Sequence, residues 1–308
     1  MSSDARAGEL LAGVDVGGSA IKLGVVRRDG SQRAEDSLKV ERGRPAADLF
    51  AAVAEALRAL GGTAFTRVGV GLPGLLDRAA GCVRQSPNLP WLVEAPVQQL
   101  LARPLGLAPE RVRLENDANV AALGEQWLGA ARGMENLLLL TLGTGIGGGL
   151  ILDGRLFAGE GLAGEVGHVC IDPEGPPCGC GSRGCLEMFA SASAARRRAL
   201  ARGLPTEAPG DLERLAQRAR AAAGPERTLL EEIGYDLGRG LAGVVSLLDL
   251  RTFVFGGGFS AALDVLEPGA RRALSQWTYG ERIAEIRLVR ATLGPSAGWI
   301  GAARLALG

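Results

Sequence analysis

Apolar residues recur along this chain in two forms: short unbroken runs that end at glycine, and longer stretches in which apolar positions stand three or four apart. The first form predicts strands and the second amphipathic helices, so their alternation predicts an α/β protein. Leu10–Val16 runs into Gly17-Gly18-Ser19 and resumes as Ile21–Val26, which predicts a hairpin around a glycine turn. Leu137–Leu142, then Gly143-Thr144-Gly145-Ile146-Gly147-Gly148-Gly149, then Leu150–Leu152 repeats that design. An internal duplication is expected, one copy per domain. Thr252–Phe255 predicts a further strand, closing on Gly256-Gly257-Gly258. Before it, Leu230, Ile233, Leu237, Leu241, Val244 and Leu248 form one stripe within Thr228–Leu250, read as a core or subunit-contact helix.

Arg111–Glu115 reads as a strand, and Asn116-Asp117-Ala118-Asn119 opens a helix over Val120–Leu128. The first α/β domain is therefore expected over residues 1–116 and a larger second one over 117–295. A chain of 308 residues with 47% hydrophobic content is long enough for two cores.

Charge narrows the partners. Basic and acidic residues number 34 each, so no net field attracts nucleic acid or an anionic membrane, and a small-molecule substrate is expected. Lys22 and Lys39 are the only lysines; the scattered arginines carry no functional signal, and Lys22 itself reads as an exposed strand residue. The opening MSSDARAGEL lacks the features of a leader peptide, and no run of about 20 apolar residues occurs, so a cytoplasmic location is expected.

Two glycine turns between strands can offer backbone N–H groups to a polyphosphate. Neither turn matches the P-loop or the dinucleotide fingerprint. Asp15 just before the first and Thr144 inside the second add a carboxylate suited to a metal and a hydroxyl donor, and the combination points to phosphate binding. His168, Cys178, Cys180 and Cys185 supply one imidazole and three thiolates, the full set for a closed structural zinc site. Free thiols, or a Cys178–Cys185 disulfide, are the alternatives, and a chain without an export signal favours the metal. Cys82 and Cys170 are left as buried thiols. Asn116, Asp117 or Asn119 can cap the helix that follows. Four polar residues in five positions, Glu115 included, exceed what one cap needs.

Asp15-Val16-Gly17-Gly18-Ser19, Glu115-Asn116-Asp117-Ala118-Asn119, Gly143–Gly149 and Gly164-Glu165-Val166-Gly167-His168 together resemble the ROK family of sugar kinases and repressors, from about residue 10 to the C-terminus. The resemblance implies the actin-like ATPase (ribonuclease H-like) fold, two α/β domains flanking an active-site cleft, with a last helix near 296–308 packing back on the first. It implies an ATP-dependent hexose kinase, a glucokinase converting glucose and ATP to glucose 6-phosphate and ADP, with Mg2+ and a structural zinc. By that likeness Gly17, Gly18, Ser19, Gly143, Thr144 and Gly145 hold phosphates, Asp15 faces Mg2+, and Gly257 and Gly258 line the adenosine pocket. Asp117 takes the role of general base, while Asn88, Asn116, Glu165, His168 and Glu187 join it as sugar contacts. A homodimer or homotetramer is also implied. Trp91 reads as packing.

N-acetylmannosamine, fructose or allose remain open as acceptors, because epimer choice rests on pocket shape. Ser19, where many relatives have threonine, leaves polyphosphate open as a donor. A DNA-binding repressor is disfavoured, since no basic patch and no helix-turn-helix segment precede the first hairpin. A sugar sensor without catalysis is disfavoured by the presence of both Asp15 and Asp117.

Overall fold

The computed structural model describes residues 9–31, 33–41, 43–62, 65–86, 88–206, 208 and 210–307. Residues 1–8, and Gly308 at the end of the expected last helix, lie outside the described residues. The chain divides into two compact units. The first takes the described residues up to Met134, Leu156–Ala163, and those from Leu293 onwards; the second takes Glu135–Arg155 and Gly164–Thr292.

The first unit contains β1 (Leu10–Val16), β2 (Ala20–Arg27), β3 (Arg33–Lys39), α1 (Ala46–Gly61), β4 (Phe65–Leu72), β5 (Leu75–Asp77), β6 (Cys82–Gln85), α2 (Val97–Leu105), β7 (Val112–Asn116) and α3 (Asp117–Leu128). Its main sheet runs β3-β2-β1-β4-β7, with β1, β2 and β3 antiparallel and β4 and β7 parallel to β1. Helix α1 buries Leu49, Phe50, Val53 and Leu57 in the core under this sheet, the one-sided spacing that an amphipathic helix requires. Register brings three strand ends level: Asp15 pairs with Gly71, and Gly71 with Glu115.

The second unit contains β8 (Leu137–Leu142), β9 (Ile146–Leu152), β10 (Arg155–Leu156), α4 (Glu187–Ala190), α5 (Ala192–Leu200), α6 (Asp211–Ala221), α7 (Pro225–Leu248), β11 (Thr252–Gly256), α8 (Leu263–Trp277) and β12 (Arg287–Arg290). Its sheet, β10-β9-β8-β11-β12, repeats the order and directions of the first: β9 antiparallel to β8, then β11 and β12 parallel. The second glycine turn is shorter than the sequence pattern suggests. Gly147, Gly148 and Gly149 belong to β9, where a side chain at Gly148 would collide with the Gly164 carbonyl. The stripe on α7 is buried at Leu230, Ile233, Leu237 and Leu241 and half-buried at Val244, but Leu248 is exposed, because the helix runs past the core before it stops.

The last helix, α9 (Ala297–Leu305), belongs to the first unit, as does α3, so the division falls beyond Met134 and not after Asn116. The reason is packing. A methyl group at Gly301 would overlap the Val120 carbonyl, at Gly124 the Ala297 carbonyl, and at Gly69 the Ala302 carbonyl. Helix α9 therefore lies against α3 and β4 backbone to backbone, a separation that only glycine permits. Glu125, fully buried, secures the arrangement: Oε1 accepts from Leu293 N and Oε2 from Ala130 N, both at 2.8 Å. No described helix is long and apolar enough to cross a membrane.

Gly301→Ala is expected to destabilise the first unit by about 1–3 kcal/mol or more, since the backbone of α3 must move to admit one methyl. Gly243, inside α7 with nothing within 4 Å of an added Cβ, is the control. Its change to alanine is expected to stabilise by roughly 0.5–1 kcal/mol. Urea unfolding of the two variants checks both signs.

Candidate functional site

The first glycine turn is closed by a bond from Gly17 N to Ala20 O at 3.0 Å, and Gly18 and Ser19 stand exposed at its tip. A side chain on Gly17 would meet Ala20 O at 2.9 Å, so the turn must be bare backbone. Asn88 is exposed, and its carbonyl lies 3.9 Å from the position a Cβ on Gly18 would take. The same unit thus brings Asn88 to the first turn.

Asp15, one residue before the end of β1, is enclosed. Gly71 lies 3.7 Å from its Oδ1 when given a Cβ, and Gly298 of α9 packs on its other oxygen so closely that any side chain there would overlap it. Burial, then the charge of Asp117, raises the Asp15 carboxyl to about 7, and Lys22 opposes the rise. Lys22 is half-buried and directly across β2 from Asp15, not simply an exposed strand lysine. The shared strand face was the missed signal, because positions opposite in an antiparallel pair point the same way.

Asn116 and Asp117 sit where β7 becomes α3. Asn116 is the helix cap, its Oδ1 accepting from Ala118 N at 2.8 Å and Asn119 N at 3.4 Å, while its Nδ2 donates to Gly74 O at 3.3 Å. Capping and side-chain presentation are therefore combined in adjacent residues. Asp117 Oδ1 accepts from Ala118 N at 2.9 Å. Burial pushes the Asp117 carboxyl up, and the backbone bond from Ala118 holds part of that rise back.

In the second unit Gly143 N bonds Gly145 O at 3.0 Å, and Gly143 O accepts from Ala192 N at 2.9 Å. Thr144 is exposed on the turn. Gly143, Thr144 and Gly258 border a cavity of about 580 Å³. Its apolar wall is Leu212, Ala216, Phe259 and Ala262, and Arg196, Glu213, Gln217 and Arg290 stand around it. Gly257 lies behind the rim; its φ of 78° and its contact with the Leu142 backbone allow no side chain. The α6 face of this cavity was missed in sequence. Leu212 and Ala216, with Glu213 and Gln217 beside them, have helical spacing, but that spacing is shared by every amphipathic helix.

One atom from each of His168, Cys178, Cys180 and Cys185 lies within 4.8 Å of all the others. Cys178 Sγ is 3.6 Å from His168 Nδ1, and Cys180 Sγ 3.7 Å from Cys185 Sγ. Burial first of all pushes the Cys178 thiol up to about 12, so a thiolate there needs a cation beside it. The donor set and its convergence fit a tetrahedral ion. The two carboxylates flank it: Glu165 Oε2 lies 4.0 Å from His168 Nε2, and Glu187 Oε1 is 3.1 Å from Cys178 Sγ and 3.9 Å from His168 Nδ1. Glu187 Oε2 also closes on Gly145, 2.6 Å from where a Cβ would stand. Cys82 is buried, but Cys170 is exposed, a correction to its reading as a buried thiol. Its backbone is paired with that of Cys185 in an isolated antiparallel bridge, Cys185 being buried and Cys170 not.

Residues 11–308 match the ROK family. Over 313 residues the chain is 36% identical to a glucokinase of Thermotoga maritima, with 96% of each covered. Its structure is similar to a ROK hexokinase from Thermus thermophilus, with a TM-score of 0.79 at 36% identity over 96% of both chains. It is also similar to a ROK family glucokinase from Streptomyces griseus, solved in complex with glucose and AMPPNP, with a TM-score of 0.76 at 33% identity over 97% of this chain and 99% of that one. Two sheets of one repeated order, each with its glycine hairpin, are the actin-like ATPase architecture of these relatives. On the match across nearly its whole length, this chain belongs to the ROK family.

Proposed function

We propose that this chain is an ATP-dependent hexose kinase that phosphorylates glucose at its 6-hydroxyl. The observation that carries the reading is the β7–α3 junction, where a capped helix start presents the half-buried Asp117 carboxylate close enough to Asp15 for their charges to interact. Phosphoryl transfer asks for little covalent help from a protein; it needs positioning, charge neutralisation and one acceptor for the attacking proton. Asp117 is that acceptor. As the 6-hydroxyl oxygen forms its bond to the γ-phosphorus and the bond to the ADP oxygen breaks, the hydroxyl proton passes to Asp117. Its raised pKa places the carboxylate nearer to neutrality, where a base accepts a proton most effectively without being idle.

Gly17, Gly18, Ser19, Gly143, Thr144 and Gly145 would hold the phosphates through backbone N–H and hydroxyl groups, and Gly257 and Gly258 would border the nucleoside. Asn88, Asn116, Glu165, His168 and Glu187 would bond the sugar hydroxyls. Asp15 would hold Mg2+, which supplies neutralisation of the phosphate charge. His168, Cys178, Cys180 and Cys185 would hold Zn2+, keeping Glu165 and Glu187 in place with no part in the chemistry. A cytoplasmic homodimer or homotetramer completes the reading.

The test is coupled ADP release across glucose, N-acetylmannosamine, fructose and allose, with ATP and polyphosphate as donors. Glucose with ATP is expected to be the best pair; no stimulation by any hexose would overturn the reading. In Asp117→Asn, kcat is expected to fall by about 10²–10⁴ with the ATP KM little changed.

Asp15 generates a separate expectation. Its folded pKa, about 7, lies above its ordinary value of 3.8, so the folded state holds the proton more tightly and loses stability as pH rises between those values. Asp15→Asn is therefore expected to abolish activity yet raise the melting temperature at pH 8, with the gain vanishing near pH 4. A variant that melts lower at pH 8 would show that burial of the charge is not costly there.

Purified protein is expected to contain about one zinc per chain. Removal by a strong chelator is expected to raise the hexose KM severalfold before it changes the ATP KM, since the ion braces Glu165 and Glu187. Metal analysis and the two KM values read this directly.

A further inference from the structure

Glu115 precedes the two residues proposed to act on the sugar, yet its side chain turns inward. It is 4% exposed, and its oxygens accept four bonds. Arg78 supplies two of them in a fork, Nε to Oε2 at 2.9 Å and Nη2 to Oε1 at 2.5 Å. The backbone N of Asn116 adds one at 2.8 Å and Asn119 Nδ2 another at 2.9 Å, both to Oε1. The bonds from Asn116 and Asn119 bracket Asp117 in sequence. Glu115 thus ties the last strand residue to the first turn of α3, and Arg78 is what holds Glu115.

Two further observations argue against a merely incidental ion pair. Asn119 is 3% exposed, and its Oδ1 has no hydrogen-bond partner among the described residues. A buried unpaired carbonyl costs about 1–3 kcal/mol, so the amide is kept for what its other end does, which is to bond Glu115. Arg78 is also held at its base: it follows Asp77, whose Oδ1 accepts from Ala80 N at 2.7 Å and whose Oδ2 pairs with Arg84 at 2.6 Å. The β5–β6 hairpin is a fixed platform for the guanidinium.

We propose that Arg78 is a positioning residue for phosphoryl transfer, which by its forked bond to Glu115 fixes the junction carrying Asn116 and Asp117. The proposal rests on the kinase reading above. A fork matched to a carboxylate constrains both distance and angle, whereas a lysine at the same place constrains distance alone.

The experiment measures kcat, both KM values and the melting temperature for wild type, Arg78→Lys, Arg78→Gln and the double variant Arg78→Gln/Glu115→Gln. For Arg78→Gln, kcat is expected to fall about tenfold or more and the hexose KM to rise, with the ATP KM within about twofold. Arg78→Lys is expected to recover part of kcat. If Arg78→Gln does not fold, the double variant, which leaves no unpaired buried charge, replaces it and is expected to fold with kcat still low. Wild-type kcat in either glutamine variant, with only the melting temperature reduced, would falsify the positioning role. Absence of hexose-dependent ADP release from the wild type itself would instead remove the kinase reading, and this proposal with it.

Discussion

The contact on which the first unit depends is the backbone approach of α9 to β4 and α3 through Gly69, Gly124 and Gly301, with Gly298 reaching Asp15 at the helix start. Side chains ordinarily keep packed helices roughly 8–10 Å apart; glycines remove that spacer at each crossing. The same closeness shuts solvent away from the Asp15 carboxylate. Its raised pKa is thus a consequence of how the C-terminal segment packs, and the position of a site residue near the start of the chain is set by residues near its end.

Burial of Asp15 beside Asp117 is unfavourable in isolation, and that is physically informative. Two carboxylates that feel each other's charge in a dry setting lower the stability of the protein without cations. Under the proposed function, a cation carried by the bound polyphosphate would relieve that repulsion, alongside the opposing charge of Lys22. On that reading, stability given up by burying Asp15 would return as affinity for the charged substrate, the trade expected where function and folding compete for one residue.

The two hairpins, the strand at Thr252–Gly256, the cap at Asn116 and the Cys/His cluster were legible in sequence because each is a local signal, a glycine between apolar runs or ligands a few residues apart. The packing of α9 back on the first unit was carried only by the family resemblance, and the glycine contacts that allow it were not legible. Its Gly298 and Gly301 look like ordinary small residues of a short helix until Asp15 and Val120 are placed against them. Arg78 and Glu115 stand 37 residues apart, and nothing in either neighbourhood marks them as partners. The boundary set after Asn116 failed for the same reason: α3 reads as the start of something new, and only its contact with α9 assigns it to the first unit. Solvent exposure of Cys170 likewise depends on the fold around it, which no spacing encodes.

In the second unit one side chain joins features that the sequence presents separately. Glu187 touches Cys178, lies near His168, and closes on Gly145 of the glycine turn. The turn itself is tied through Gly143 to Ala192, in the helix that follows Glu187. A movement of the cysteine cluster therefore reaches Glu187 directly and the Gly143–Gly145 turn only through it and the backbone beyond. The order of contact implies an order of effect: a disturbance at the cysteine cluster should be felt first at Glu187, and weaken by the time it arrives at Thr144.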